Sequence, residues 1–187
     1  MLNPQGVWLT VYNSVYILWN QSSFMKTLLI IFLLSASVVS QSSPTVSQLV
    51  GTWQIVSIED TMKDGTVGPS AQFGPHPKGF LMYAPDGHMC ATLVNGDRPA
   101  WKDPAKATDA EKITYYDTFI SYCGTFKLDS AASTVTHYPS VAWTPGYVGS
   151  TQPRPFKLGD NHLIITVTEG MANTRVAKRV LVWERAK

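Results

Sequence analysis

The chain has 187 residues, 44% of them apolar and 15% charged. That suits one globular domain with a real core and is too short for two comfortable ones. The net charge of +2 comes without any Lys/Arg cluster that would track a phosphate backbone, so nucleic acid is not an expected partner.

In chain order, the first organised signal is Met25-Lys26, followed by the apolar run Thr27 to Leu34 and the small residues Ser35-Ala36-Ser37-Val38-Val39-Ser40. A positive start, a short apolar stretch and a small-residue region read as a signal peptide over 25–40, cleaved after Ser40. Residues 1–24 carry Trp8, Tyr12, Tyr16 and Trp19 but no charge. They read as an upstream extension, with translation starting at Met25. The apolar run is short for a bilayer, so no stable span is expected after cleavage; one long uncleaved anchor is the alternative. The working domain is expected over 45–187, secreted or periplasmic.

Thr52 to Met62 is rich in β-branched residues and ends at Lys63-Asp64-Gly65, a strand followed by a turn. Gly68-Pro69, Gly74-Pro75 and Pro77 make 65–78 a loop. Gly79–Ala84 and His88–Val94 flank Pro85-Asp86-Gly87, a hairpin in which Asp-Gly supplies the positive φ of a tight turn. After a loop over 95–107, Thr108 and Glu111 form a capping box. Ile113, Tyr116 and Ile120 follow at helical spacing, which predicts a short helix over about 109–119, lying over one end of the domain, with Tyr115 and Tyr116 as lid candidates.

From Ile120 to Leu128 the alternation is strictly period two. Thr134 to Ser140 is the next strand, with Val135, His137 and Pro139 on one face and a bulge or strand end expected at the proline. Gln152, Arg154, Phe156 and Leu158 share a face of the following strand. Gly159-Asp160-Asn161 turns into Leu163–Thr168, and the last strand runs from about Val176 to Glu184. Eight strands, one helix and hairpin turns predict an antiparallel barrel or sandwich. Cys90 and Cys123 suit an oxidising compartment. Cys123 alternates with Ser121, Thr125 and Lys127 and so faces outward, which argues against a bridge while leaving it open.

Gly51-Thr52-Trp53 opens the first strand and Leu181-Val182-Trp183-Glu184-Arg185 closes the last. An indole at the base of a barrel with a guanidinium across its face is a way to plug one end. With Gly79-Phe80-Leu81-Met82-Tyr83, Asp86-Gly87-His88-Met89, Tyr122-Cys123-Gly124-Thr125-Phe126, Val135-Thr136-His137 and Gly149-Ser150-Thr151-Gln152-Pro153-Arg154, these segments resemble the bacterial and fungal lipocalin-like domain family, a calycin-type barrel, over about Leu49 to Arg185. The resemblance implies an eight-stranded up-and-down barrel with a central cavity and says little about activity. The chain departs from the family pattern at Pro153 and Pro155, which argues against continuous pairing of that strand.

His137 and Arg154 are the polar residues expected to point inward. An inward Arg needs a partner, because an unpaired buried charge is unfavourable. That partner is either a ligand anion held in bidentate fashion or a barrel group such as Glu59. Tyr83, Tyr122, Trp143 and Phe156 are the expected apolar and aromatic ligand contacts. Trp53 and Arg185 are assigned to the structural plug. No His-x-His, Cys-x-x-Cys, Gly-x-Ser-x-Gly, Gly-x-Gly-x-x-Gly or Walker pattern occurs, so no metal or other cofactor is expected. The leading expectation is an exported protein that binds a small, largely hydrophobic and possibly anionic molecule. A cyclase or isomerase with His137 as acid or base and a barrel filled by its own side chains are the alternatives; the oligomeric state is left open.

Overall fold

The computed structural model describes residues 43–168 and 175–187. The expected extension over 1–24 and signal peptide over 25–40 lie outside the described residues. Among the described residues nine strands form one antiparallel sheet: β1 (Gly51–Met62), β2 (Val67–Pro69), β3 (Pro77–Tyr83), β4 (His88–Asn95), β5 (Phe119–Asp129), β6 (Thr134–Ala142), β7 (Gln152–Leu158), β8 (His162–Val167) and β9 (Val176–Arg185). Each of β3 to β9 pairs with the next, β1 pairs with β3, and β9 returns to β1, so eight strands close an up-and-down barrel. The ninth, β2, is a three-residue strand inside the expected loop. It pairs with Glu59–Thr61, the end of β1 that β3 leaves free. Among the described residues there are two α-helices: a single turn, α1 (Val46–Leu49), and the expected α2 (Asp109–Asp117), which carries the Thr108–Glu111 capping box.

Burial alternates along most strands, so the inner face holds Trp53, Leu81, Tyr83, Met89, Ala91, Leu93, Phe126, Leu163, Leu181 and Trp183. Along β1 the period slips. Ile55 opposes Trp183 while Ser57 opposes Val182, so one extra residue, Val56, bulges out. A bulge of one residue exchanges the two faces of the strand beyond it. Ile58 and Asp60 therefore turn inward and Glu59 outward. A second bulge lies at Ser140, since Cys123 opposes Val141 and Gly124 opposes Pro139. There the strands approach so closely that a Cβ on Gly124 would come within 2.0 Å of the Tyr138 carbonyl oxygen.

The end formed by the start of β1 and the tight turns is closed. Trp53 is fully buried and its Nε1 donates to the Leu49 carbonyl at 2.9 Å. The Arg185 guanidinium lies 4.2 Å from the Trp53 ring centroid and donates to the Val50 and Gln48 carbonyls. Gly51 sits at φ +128°, and a Cβ there would come within 2.5 Å of the Arg185 guanidinium, so the plug needs glycine at this place.

One open question is answered and one expectation is corrected. Cys90 and Cys123 are joined in a disulfide. They are directly opposite on β4 and β5, with Cα atoms 4.1 Å apart. Facing outward is no obstacle when both do so at the closely spaced kind of antiparallel pair. The helical stripe is also not a buried one: Ile113 is 60% and Tyr116 51% exposed. The helix ends at Asp117, so Ile120 belongs to β5, and a two-turn helix beside the mouth has no second layer to pack under. Among the described residues, no helix is long and apolar enough to cross a membrane.

Candidate functional site

The barrel interior is not filled. A cavity of about 450 Å³ is walled by Leu81, Ala91, Leu93, Ile120, Ile165, Leu181 and Trp183. Polar groups enter it at a few places: Gln72, Tyr122, His137, Tyr147, Arg154 and Arg179. An apolar chamber with a small number of placed polar groups is the usual form of a small-molecule site.

His137 is carried on the inner face of β6 and is fully buried. Its Nε2 is 2.7 Å from the Tyr83 hydroxyl and its Nδ1 2.9 Å from the Tyr122 hydroxyl. Burial, with the nearby Arg154 charge, holds its pKa down to about 3, so the ring is neutral at physiological pH. A neutral imidazole offers one donor and one acceptor. Tyr83 is buried away from the cavity, and His137 is its hydroxyl's hydrogen-bond partner among the described residues. The arrangement that strands no proton has Tyr83 O–H donating to Nε2 and Nδ1–H donating to the Tyr122 oxygen. That leaves the Tyr122 O–H to be offered to the cavity. Desolvation raises both phenol pKa values, so both remain protonated.

Arg154 comes from β7 and is 7% exposed. Its Nη2 donates to the Tyr147 hydroxyl at 2.7 Å and to Gln152 Oε1 at 2.8 Å, and its Nη1 to the Pro153 carbonyl at 2.9 Å. Its charge also acts on Tyr122. Among the described residues no carboxylate pairs with it, and Glu59 is turned away on the outer face. Tyr147 is held by a 3₁₀ turn (Pro145–Tyr147), and its ring packs 5.1 Å from Tyr122 and 4.9 Å from Trp143. Tyr147 accepts from Arg154, so its own O–H is also available to the cavity. The result is a cluster of donors around one unneutralised cation.

The prolines beside Arg154 shape the wall. Phe156 N–H donates to Ser133, on the β6 side, so the even-numbered backbone groups of β7 face β6 and the odd-numbered ones face β8. Pro153 and Pro155 thus lack the two N–H groups that β8 would have used. Pairing with β6 runs from Gln152 to Pro155, whereas pairing with β8 stops at Phe156. The Pro153 carbonyl, left without a strand partner, accepts from Arg154 instead.

The second cavity cation, Arg179, is of a different kind. Its Nε and Nη2 clasp both oxygens of Asp60 at 2.6 and 2.9 Å, and its remaining donors reach Gln72 and Ser70. The pair is buried on both sides. It fastens the 70–73 segment to the barrel, where Phe73 packs 5.1 Å from the guanidinium. Gln72 in turn donates to the Asp117 carbonyl at the end of α2.

Of the residues expected to touch a ligand, Tyr122, His137, Trp143 and Arg154 line one cavity. Tyr83 stands behind His137, and Phe156 is packed in the core without reaching the chamber. Sequence reasoning missed Tyr147, Asp60, Arg179 and Gln72. Tyr147 had a legible signal, a Pro-Gly-Tyr turn two residues before the Gly149–Arg154 segment, and Arg179 shares the inward alternation of Leu181 and Trp183; Asp60 faces inward only because of the bulge at Val56. Tyr115 docks on its own loop, donating to the Pro99 carbonyl and packing 5.2 Å from Trp101, while Tyr116 points to solvent; neither lines the cavity. Among the described residues, no three His, Cys, Asp or Glu side chains are grouped as a metal site.

The family comparison agrees with this architecture. A model of the lipocalin-like domain matches residues 50–186. Among solved structures, a lipocalin-like protein from Bacteroides uniformis is similar at 12% identity and a TM-score of 0.39, over 74% of this chain and 99% of that one. The fluorescent protein UnaG is similar at 13% identity and a TM-score of 0.36, over 76% of this chain and all of that one. A comparison with curated proteins gives no match.

Proposed function

The chain belongs to the lipocalin-like domain family, and on that premise we propose that it holds a small, largely apolar molecule with an anionic group, bound at Arg154. One observation carries this reading: a buried guanidinium without a carboxylate partner among the described residues, at the wall of an apolar cavity of about 450 Å³. A lone buried cation is unfavourable, and an incoming carboxylate or enolate would neutralise it while accepting from Tyr122 and Tyr147. Arg179 has no such need, because Asp60 already meets it. The protein is further proposed to work after export. The Cys90–Cys123 disulfide supports an oxidising compartment, as does the leader pattern over 25–40.

A cyclase or isomerase using His137 as acid or base has less support, since both ring nitrogens are held by tyrosines. The test is native mass spectrometry of the chain purified from an exporting host, beside its Arg154→Met variant. A reproducible extra mass carrying an acidic group, absent from the variant, is the expected result. An identical mass bound to both proteins would remove Arg154 from the site, and a neutral or cationic adduct would overturn the ligand class.

A further inference from the structure

Trp183 is fully buried, lines the cavity, and its indole N–H has no hydrogen-bond partner among the described residues. The other barrel-core indole, Trp53, donates to a carbonyl at 2.9 Å. An indole nitrogen is a donor only, and leaving such a donor unmet inside a protein is unfavourable. Phenylalanine would fill much of the same space without that cost. The orphaned donor therefore points to an acceptor that is not part of the chain.

Its height in the barrel gives the second half of the argument. Trp183 opposes Leu163 on β8, and Arg179 opposes Val167. The β7–β8 register pairs Phe156 with Ile165, which carried two residues further brings Arg154 level with Val167. Along β9, Trp183 thus lies four residues nearer the plugged end than the position level with Arg154, about 13 Å along the strand at roughly 3.3 Å per residue. The wall around it is Leu163, Ile165 and Leu181, all buried and apolar. A charged group at that depth would have no counter-ion, so the acceptor must be neutral.

We infer that the cavity floor is a second polar subsite, in which Trp183 Nε1–H donates to a neutral acceptor, a carbonyl, ether or ring nitrogen, at the buried end of the ligand. This rests on the reading of Arg154 as the anion site. The ligand is then elongated: anionic at the mouth, apolar in the middle, and carrying one acceptor at the far end. A carrier of plain fatty chains would not need the indole N–H.

The experiment uses the full chain and two probes, a straight-chain carboxylate of about ten carbons, matched to the ~13 Å separation, and its analogue with a ketone next to the terminal methyl. Affinities are read by displacement of anilinonaphthalene sulfonate. In an indifferent apolar pocket the ketone weakens binding. Here it should strengthen binding about fivefold or more, and Trp183→Phe should abolish that preference while Arg154→Met weakens both probes alike. Because Trp183→Phe disturbs the core, the indole N–H signals of the unaltered chain provide an independent reading. The ketone probe, and not the plain one, should shift one buried indole resonance downfield. Equal affinities with no indole shift, alongside an intact Arg154 effect, would overturn the floor subsite and leave the anion site standing. Binding of neither probe would overturn both.

Discussion

The Tyr83 hydroxyl lies 2.7 Å from His137 Nε2, in the most thoroughly buried polar contact of the barrel interior described above. Tyr83 and Tyr122 hold the imidazole from both sides, and burial, with the Arg154 charge, keeps it neutral. A ring held in this way positions the Tyr122 hydroxyl at the cavity wall, and it fixes how the protein responds to acid.

The unfolded chain protonates His137 near its ordinary value of about 6.5, whereas the folded chain resists protonation until about pH 3. The folded pKa is depressed by burial of a base, so the unfolded state binds more protons between those limits. Stability is full at neutral pH and falls as the pH drops from about 6.5 toward about 3, by up to roughly 5 kcal/mol at ~1.4 kcal/mol per pH unit. His137→Gln should flatten this slope between pH 6.5 and 4.5, above most carboxylate titrations. Urea midpoints across that range check it; equal slopes in both proteins would mean that His137 is not buried neutral.

Arg154→Met should separate function from stability. Binding of a hydrophobic carboxylate probe is expected to weaken about 10- to 100-fold, the worth of one charge-assisted contact. The melting temperature should hold or rise, because an unpaired buried charge is replaced by an apolar side chain. Calorimetry of both proteins, with and without probe, reads the two effects together.

Asp60→Asn and Arg179→Met should each destabilise by about 3–5 kcal/mol, since either leaves one member of a buried pair alone. Replacing both with apolar residues should recover most of the loss, although the 70–73 segment would lose its anchor. Chemical denaturation of the two single variants and the double variant tests this, and additive losses would contradict it.

Pro155→Thr should let β8 extend its pairing with β7. The introduced backbone N–H faces the β8 edge, opposite Thr166 by the existing register. Slow amide exchange at position 155 is the expected signature, with slower uptake of a bulky probe if ligands pass through this seam. Rapid exchange at that amide would show that the seam has causes other than missing donors.

Much of this molecule is legible in one dimension, and each exception has its own physical cause. Trp53, Arg185 and the inner faces of β5 and β7 follow from strict alternation or from a turn-bounded strand. Glu59 did not become the inward carboxylate because Val56 bulges and exchanges the faces beyond it. Period-two reading carries no signal for a one-residue slip, so Asp60 and its pairing with Arg179 were invisible. Ile113 and Tyr116 misled for the opposite reason: their spacing is helical, but a stripe is buried only if something packs on it. The prolines of β7 were read correctly as a disturbance, yet which neighbour they disturb depends on backbone parity that only the register reveals.

The Cys90–Cys123 bridge has a consequence for everything between its ends. It clamps β4 to β5 four rungs below the long connection that holds α2. With the closure entropy of that connection already borne by a covalent link, the barrel is insulated from what the connection contains. The segment behaves as an exchangeable cassette at the rim. It can be lengthened, shortened or rewritten with little effect on the fold, which makes it the natural place for relatives to diverge and for an engineer to graft a new loop.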